Sequence, residues 1–199
     1  MDQANLASPQ KKAQRLNAWL IFLDECGFFM APLVRRSWQP RGRTPVLVQR
    51  GRHWQKVSAI AAIAVSPHRD RVRLYFRLHP QADIGSDQVM AFLRYLRQEL
   101  PEPCLLVWDR LNAHRARRTT QFVARLHHLH TFFLPAYAPE LNPVESAWAY
   151  LKMNPLANQP TFATAELAAL ARRHTRAMQQ NQSLLRSFLR HSPLFLRLR

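Results

Sequence analysis

The chain has 199 residues, enough for one well-buried domain or a domain with an appendage. Its 47% hydrophobic content excludes intrinsic disorder, its longest apolar run (Ala59 to Val65) falls far short of the about 20 residues of a membrane span, and two cysteines without CxxC spacing, Cys26 and Cys104, make no disulfide framework. The charge balance is 29 basic against 12 acidic residues, net +17, and 25 of the basic residues are Arg, whose planar fork suits phosphate oxygens; a polyanion is the expected partner, nucleic acid ahead of a membrane surface.

In chain order, residues 1–16 are polar, with Ser8 as cap and Pro9 as first residue of a short helix. The apolar segment after Lys11, Lys12 and Arg15 is only Ala18 to Leu23, too short for a signal peptide. Trp19 to Leu23 reads as a strand buried on both faces and bounded by Asp24. Phe28 to Gln55, rich in Pro, Arg and Trp, reads as irregular hairpins, and Val57 to Val65 as a second two-sided strand. From Arg71 to Leu78 the pattern alternates, Val72, Leu74, Phe76 and Leu78 on one face and Arg71, Arg73, Tyr75 and Arg77 on the other, as in a one-sided strand near a sheet edge.

Helical spacing follows: Val89, Phe92, Leu93, Leu96 and Leu100 form a stripe, with Ser86 as cap and Pro101 as stop. Cys104 to Trp108 is a short buried strand ending at Asp109, followed by a basic helix around Arg115 to Leu126 and a strand from Leu129 to Leu134. His127, His128 and His130 have no Cys or acid at zinc-ligand spacing and read as a helix end running into that strand. Asn142 and Pro143 open a helix with Val144, Ala147, Trp148 and Leu151 on one stripe; a further helix carries Leu167, Leu170, Ala171, His174 and Met178. Strands, then alternating helices and strands, then helices predict an α/β domain with a mixed sheet.

With only twelve acids, their placement carries information. Asp24 and Asp109 each follow a buried strand, and ligands of α/β sheets gather beyond the carboxyl ends of parallel strands. Glu145 opens a helix after a proline-rich segment that can return it to the same crevice. Three carboxylates from three elements make an oxygen-ligand site for Mg²⁺ or Mn²⁺, and two such ions suit phosphodiester chemistry. Taken singly, each residue has a structural alternative: Asp24 and Asp109 as turn or cap residues, Glu145 as a capping-box glutamate, Lys152 as a solvated helix charge, His114 as a loop histidine and Trp148 as core. By alternation Glu25 points away from Asp24 and is a poor ligand candidate.

Three segments occur in order: Phe22 to Phe28 (FLDECGF), Val107 to Arg115 (VWDRLNAHR) and Leu134 to Trp148 (LPAYAPELNPVESAW), the last running on to Lys152. Together they resemble the three catalytic motifs of mariner-superfamily DDE transposases, and most of all those of the bacterial insertion-sequence-six-thirty family, over roughly residues 18–155 and more loosely to 180. The resemblance implies an RNase H-like fold, a five-stranded mixed sheet flanked by helices on both faces. It implies that Asp24, Asp109 and Glu145 are catalytic and bind two Mg²⁺ or Mn²⁺ ions, and that His114, Asn142, Lys152, Arg110 and Trp148 support the site or contact DNA. Cleavage at transposon ends and strand transfer to target DNA follow as the implied activity. The 35 residues between Asp109 and Glu145 are one more than the family's commonest spacing.

The expected organisation is an N-terminal polar segment (1–17), a catalytic domain (18–155) and a C-terminal helical extension (156–199) whose Arg172, Arg173, Arg176, Arg186 and Arg190 track phosphates or form a solvated face. Only 23 residues precede Asp24, so the family's N-terminal helix-turn-helix region is expected to be absent or separately encoded, and a domesticated, catalytically inactive DNA-binding remnant is the alternative reading. The expected partners are double-stranded DNA, a second copy of the chain as in a homodimer on paired ends and a separately encoded helix-turn-helix segment, with no membrane; the expected location is the bacterial cytoplasm, at the nucleoid.

Overall fold

Among the described residues, five strands, β1 (Trp19–Phe29), β2 (Lys56–Val65), β3 (Val72–Pro80), β4 (Cys104–Trp108) and β5 (Leu129–Phe133), form one mixed sheet in the order β3-β2-β1-β4-β5. The computed structural model describes residues 4–48, 55–100, 103–193 and 198. The first three strands pair antiparallel, as successive strands can; β4 and β5 join β1 in parallel, which requires crossovers long enough to hold helices.

Among the described residues, α1 (Ala4–Arg15) precedes β1, the crossovers hold α2 (Ser86–Glu99), α3 (Asn112–Arg115) and α4 (Arg117–Ala124), and α5 (Pro143–Met153), α6 (Thr164–Gln180) and α7 (Gln182–His191) follow β5. Because side chains alternate along a strand, β1 splits its apolar run between two cores. Leu20 and Phe22 join Val57, Ala59, Ala61, Ile63, Leu105 and Val107 beneath α5, α6 and α7. Trp19, Ile21 and Leu23 join Ile60, Ala62, Leu106 and Trp108 beneath α2, whose Val89, Phe92, Leu93 and Leu96 are buried there. Each such side chain contributes about 1.5–3 kcal/mol on leaving water, so α2 is held by its stripe more than by helix propensity. Among the described residues no helix is long and apolar enough to cross a membrane.

Several expectations need correction. The first strand does not stop at Leu23: it runs to Phe29, because β2 continues to pair with it from Asp24↔Ala61 to Phe29↔Lys56 after β4 has ended. Of the expected hairpins from Phe28 to Gln55, residues 31–48 contain no strand, and 49–54 lie outside the described residues. Arg35 in this segment is tied to the turn after α5 instead, Asn158 bonding both of its backbone groups at 2.8 and 2.9 Å and its guanidinium donating to the Met153 carbonyl at 2.6 Å. Ser8 and Pro9 fall inside α1, which already begins at Ala4. Gly85 rather than Ser86 precedes α2, with its backbone N–H donated to Gln88 Oε1 at 3.0 Å; the helix ends at Glu99, and the expected stop, Pro101, lies outside the described residues. β3 is an edge strand as its alternation suggested, yet Tyr75, on the basic face, is buried because α2 covers that face and sets Tyr95 edge-on at 5.9 Å. The single basic helix is two, broken at Ala116, where ψ is 140°. On α6, Ala168 and Thr175 are buried and His174 is only half-buried. Arg172, Arg173, Arg176 and Arg190 are exposed, while Arg186 donates to the Asp70 carbonyl.

Candidate active site

The parallel register of β1 and β4 runs from Trp19↔Cys104 to Phe22↔Val107. Two residues further along each chain are Asp24 and Asp109, so the pairing delivers both acids to the same end of the sheet. Asp24 has the parity of Phe22 and falls on the face that α5 covers. Asp109 is the first residue past β4, where the chain turns into α3.

The start of α5 is fastened to β1 beside Asp24. Asn142 caps the helix by accepting from the Val144 N–H at 3.2 Å, Pro143 occupies the first turn, and Asn142 Nδ2 donates to the Leu23 carbonyl at 3.0 Å. The backbone N–H of Asn142 is itself taken by the Pro139 carbonyl at 2.8 Å, from the 3-10 turn Pro139–Leu141. A capping box would have Glu145 accept that N–H; with the donor already engaged, the first-turn carboxylate is left for another use. One turn on, Trp148 is buried with its ring edge-on to Phe28 at 5.8 Å and donates Nε1–H to Asp24 Oδ2 at 3.0 Å.

Asp24, Asp109 and Glu145 thus line one cleft of about 470 Å³, together with Arg110, Arg115, Tyr137 and Asn142. Exposure rises across the trio: Asp24 is 7% exposed, the Asp109 side chain 48%, and Glu145 lies in the open. Burial, then the charges of Glu145, Glu25 and Asp109, push the Asp24 carboxyl up to about 8. Such a set of hard oxygen donors, crowded enough that one keeps its proton, fits Mg²⁺ or Mn²⁺, whose charge would relieve the repulsion. Arg110 is exposed at the rim, its guanidinium 5.7 Å from the Phe133 ring centre.

Of the remaining sequence candidates, Asn142 and Trp148 are buried and act on the site from behind. His114 is fully buried and does not present itself to a phosphate. Its Nδ1 lies 2.8 Å from Asp109 Oδ1 and its Nε2 2.9 Å from Glu25 Oε1, with the ring stacked on Trp108 at 4.4 Å. Burial pulls its pKa down, but the hydrogen bonds and charges of Asp109 and Glu25 outweigh that and carry it up to about 9. The same His114 bond, helped by the Leu111 N–H, holds the Asp109 carboxyl below its ordinary value against the effect of burial. Lys152 lies apart from the cleft: it lines a neighbouring apolar cavity with Gly27, Phe28 and Leu33, where its ammonium opposes the upward effect of burial on the Cys26 thiol.

Glu25 is the residue that sequence reasoning passed over. It does point away from Asp24, as alternation requires, but on that face it meets His114, 89 positions later in the chain. The available signal was the Asp24-Glu25 pair itself: in a strand covered on both faces, the second acid needs a buried partner too. Glu25, Asp109 and His114 offer ligand atoms within 4.8 Å of one another, and here those atoms are joined by hydrogen bonds.

Residues 19–167 match the family model for DDE superfamily endonucleases. No curated protein matches the sequence. The fold is similar to that of the Mos1 mariner paired-end complex with Mn (TM-score 0.65, 16% identity, covering 96% of this chain and 58% of that one). It is similar as well to the Mos1 transposase paired-end complex with left transposon end (0.63, 15%, 97% and 60%) and to the catalytic domain of Mos1 mariner transposase (0.56, 11%, 98% and 91%). The fold is therefore RNase H-like, and the chain spans about 60% of the length of the Mos1 chains in those end complexes.

Proposed function

Since the chain belongs to the DDE superfamily endonuclease family, we propose that it is the catalytic domain of a mariner-type transposase of the bacterial insertion-sequence-six-thirty family. Its substrate is double-stranded DNA: a phosphodiester at a transposon end is hydrolysed to free a 3′-hydroxyl, whose oxygen then attacks a target phosphodiester and displaces the target's 3′-oxygen. The observation that carries this reading is the convergence of Asp24, Asp109 and Glu145 on one cleft in a chain of net charge +17.

In this reading Asp24, Asp109 and Glu145 hold two Mg²⁺ or Mn²⁺ ions, which supply charge neutralisation and activation of the attacking oxygen. The chain's own residues do the rest. Trp148 and Asn142 hold Asp24 and the start of α5 in place from the buried side. His114 sets the Asp109 carboxylate, and Arg110 and Arg115 at the rim receive DNA phosphates. The exposed Arg172, Arg173, Arg176 and Arg190 on α6 and α7 offer further cations to DNA phosphates. We further assign it to work as a homodimer on paired ends at the bacterial nucleoid, with end recognition supplied by a helix-turn-helix segment.

The test is calorimetric Mn²⁺ binding, wild type against Asp109→Asn and Glu145→Gln, followed by strand-transfer assays on DNA ends. Binding lost in the variants, with metal-dependent joined products in the wild type, is the expected result. Salt-sensitive DNA binding that Asp109→Asn leaves unchanged, with no nicking by the wild type, would instead mark a DNA-holding remnant.

A further inference from the structure

Glu25 has a role to account for. Its side chain is only 11% exposed, and a carboxylate so placed must be met locally. The group that meets it is His114 Nε2, at 2.9 Å. The imidazole has little freedom: it is fully buried and stacked on Trp108 at 18° between planes, and Trp108 is in turn stacked on Phe133 at 5.9 Å. The turn carrying it is fastened by the Thr119 hydroxyl, which donates to the Ala113 carbonyl at 2.6 Å.

With a carboxylate against each ring nitrogen, both nitrogens donate. Nδ1 gives its N–H to Asp109 Oδ1, which also receives the Leu111 N–H at 2.9 Å. One oxygen of Asp109 is thereby occupied by two donors, and Oδ2 is the oxygen left for the cleft.

We infer that Glu25 is a positioning residue: by accepting from His114 Nε2–H it fixes the imidazole and, through it, which oxygen of Asp109 faces the cleft. The inference rests on the reading of Asp109 as a metal ligand. Without the Glu25 acceptor a buried N–H is unpaired, and the ring is free to take a tilt or tautomer that no longer holds Oδ1. Glu25 therefore acts on metal binding through hydrogen-bond geometry, from the opposite face of the sheet.

The experiment is Mn²⁺ calorimetry on the whole chain for wild type, Glu25→Ala, Glu25→Asp, Glu25→Gln, His114→Ala and the Glu25→Ala/His114→Ala double variant, with ring ¹⁵N–¹H NMR of His114 in the metal-free proteins. Glu25→Ala should weaken Mn²⁺ binding by about 10- to 100-fold, the range for partners that orient a metal ligand. Glu25→Asp, which keeps the charge but is one methylene short of Nε2, should do the same, and Glu25→Gln, whose Oε1 still accepts, should recover most of the affinity. In the His114→Ala background, Glu25→Ala should add nothing. Wild-type affinity in Glu25→Asp, or an undiminished Glu25 effect without His114, would overturn the inference, since charge or direct ligation would then suffice. If Glu25→Ala does not fold, the Asp and Gln variants carry the comparison. Equal Mn²⁺ binding by wild type and Asp109→Asn would sink the reading of the cleft instead. The NMR then decides: a His114 N–H toward Asp109 that sharpens or stays unchanged in Glu25→Asp refutes the inference, and one that broadens or is lost supports it.

Discussion

In the metal-free chain Asp24 keeps its proton at neutral pH, so a divalent ion must displace that proton to bind. Burial and three neighbouring carboxylates raise its pKa from 3.8 to about 8. At about 1.4 kcal/mol per pKa unit this is roughly 6 kcal/mol of preference for the neutral form, an upper bound. Asp24 is 7% exposed, so solvent screening removes little of it. With Asp24 titrating about pH 8, binding should release roughly 0.9 of a proton at pH 7, 0.5 at pH 8 and 0.1 at pH 9. Mn²⁺ affinity should rise nearly tenfold per pH unit from pH 6 to pH 7.5 and level off above pH 8. Calorimetry in two buffers of different ionisation enthalpy reads the release directly, because the buffer that takes up the proton contributes its own heat. A flat affinity from pH 6 to 8 with no buffer dependence would show that Asp24 is already ionised, and the account of crowding in the cleft would be wrong.

Three further outcomes follow from the same contacts. Trp148→Phe keeps the packing against Phe28 but removes the Nε1–H bond to Asp24, so it should cost about 1–3 kcal/mol in denaturant unfolding and weaken Mn²⁺ binding; an unchanged midpoint would count against that bond. Asn142→Ala loses both the cap and the tie to Leu23, for about 1–3 kcal/mol together, whereas Asn142→Asp keeps the cap and should lose about half; equal losses would show that the tie is idle. The pH dependence of the metal-free fold has one sign at both raised groups. Asp24 contributes stability fully below about pH 4 and loses it as pH rises through about 8; His114 does so below about pH 6.5 and loses it through about 9. Unfolding in a chelator should therefore show stability falling more steeply between pH 6.5 and 9 in the wild type than in His114→Gln, where the fall that remains belongs to Asp24 and ends near pH 8; equal slopes in the two proteins would contradict the His114 assignment.

Much of this was legible in residue order because it depends on local rules. Strand alternation placed Val72, Leu74, Phe76 and Leu78 on one face, the 3.6-residue stripe found α2, and the Asn-Pro pair marked the start of α5 at the correct residue. The Asp24, Asp109 and Glu145 segments resemble DDE transposase motifs, and the coarser part of that resemblance is met by the match of residues 19–167 to DDE superfamily endonucleases. What residue order could not supply was register and cover. Whether Asp24 ends a strand or sits within one depends on β2 outlasting β4 along β1, a property of three separate segments. Whether Glu145 serves as a cap or lines the cleft depends on Pro139 having taken the Asn142 N–H. Tyr75 looked solvated until α2 covered it, and Glu25 looked idle until α3 set His114 against it. Period and capping are energies of neighbours along the chain. Register, cover and the partner of a buried charge are energies of neighbours in space, and only the assembled sheet decides them.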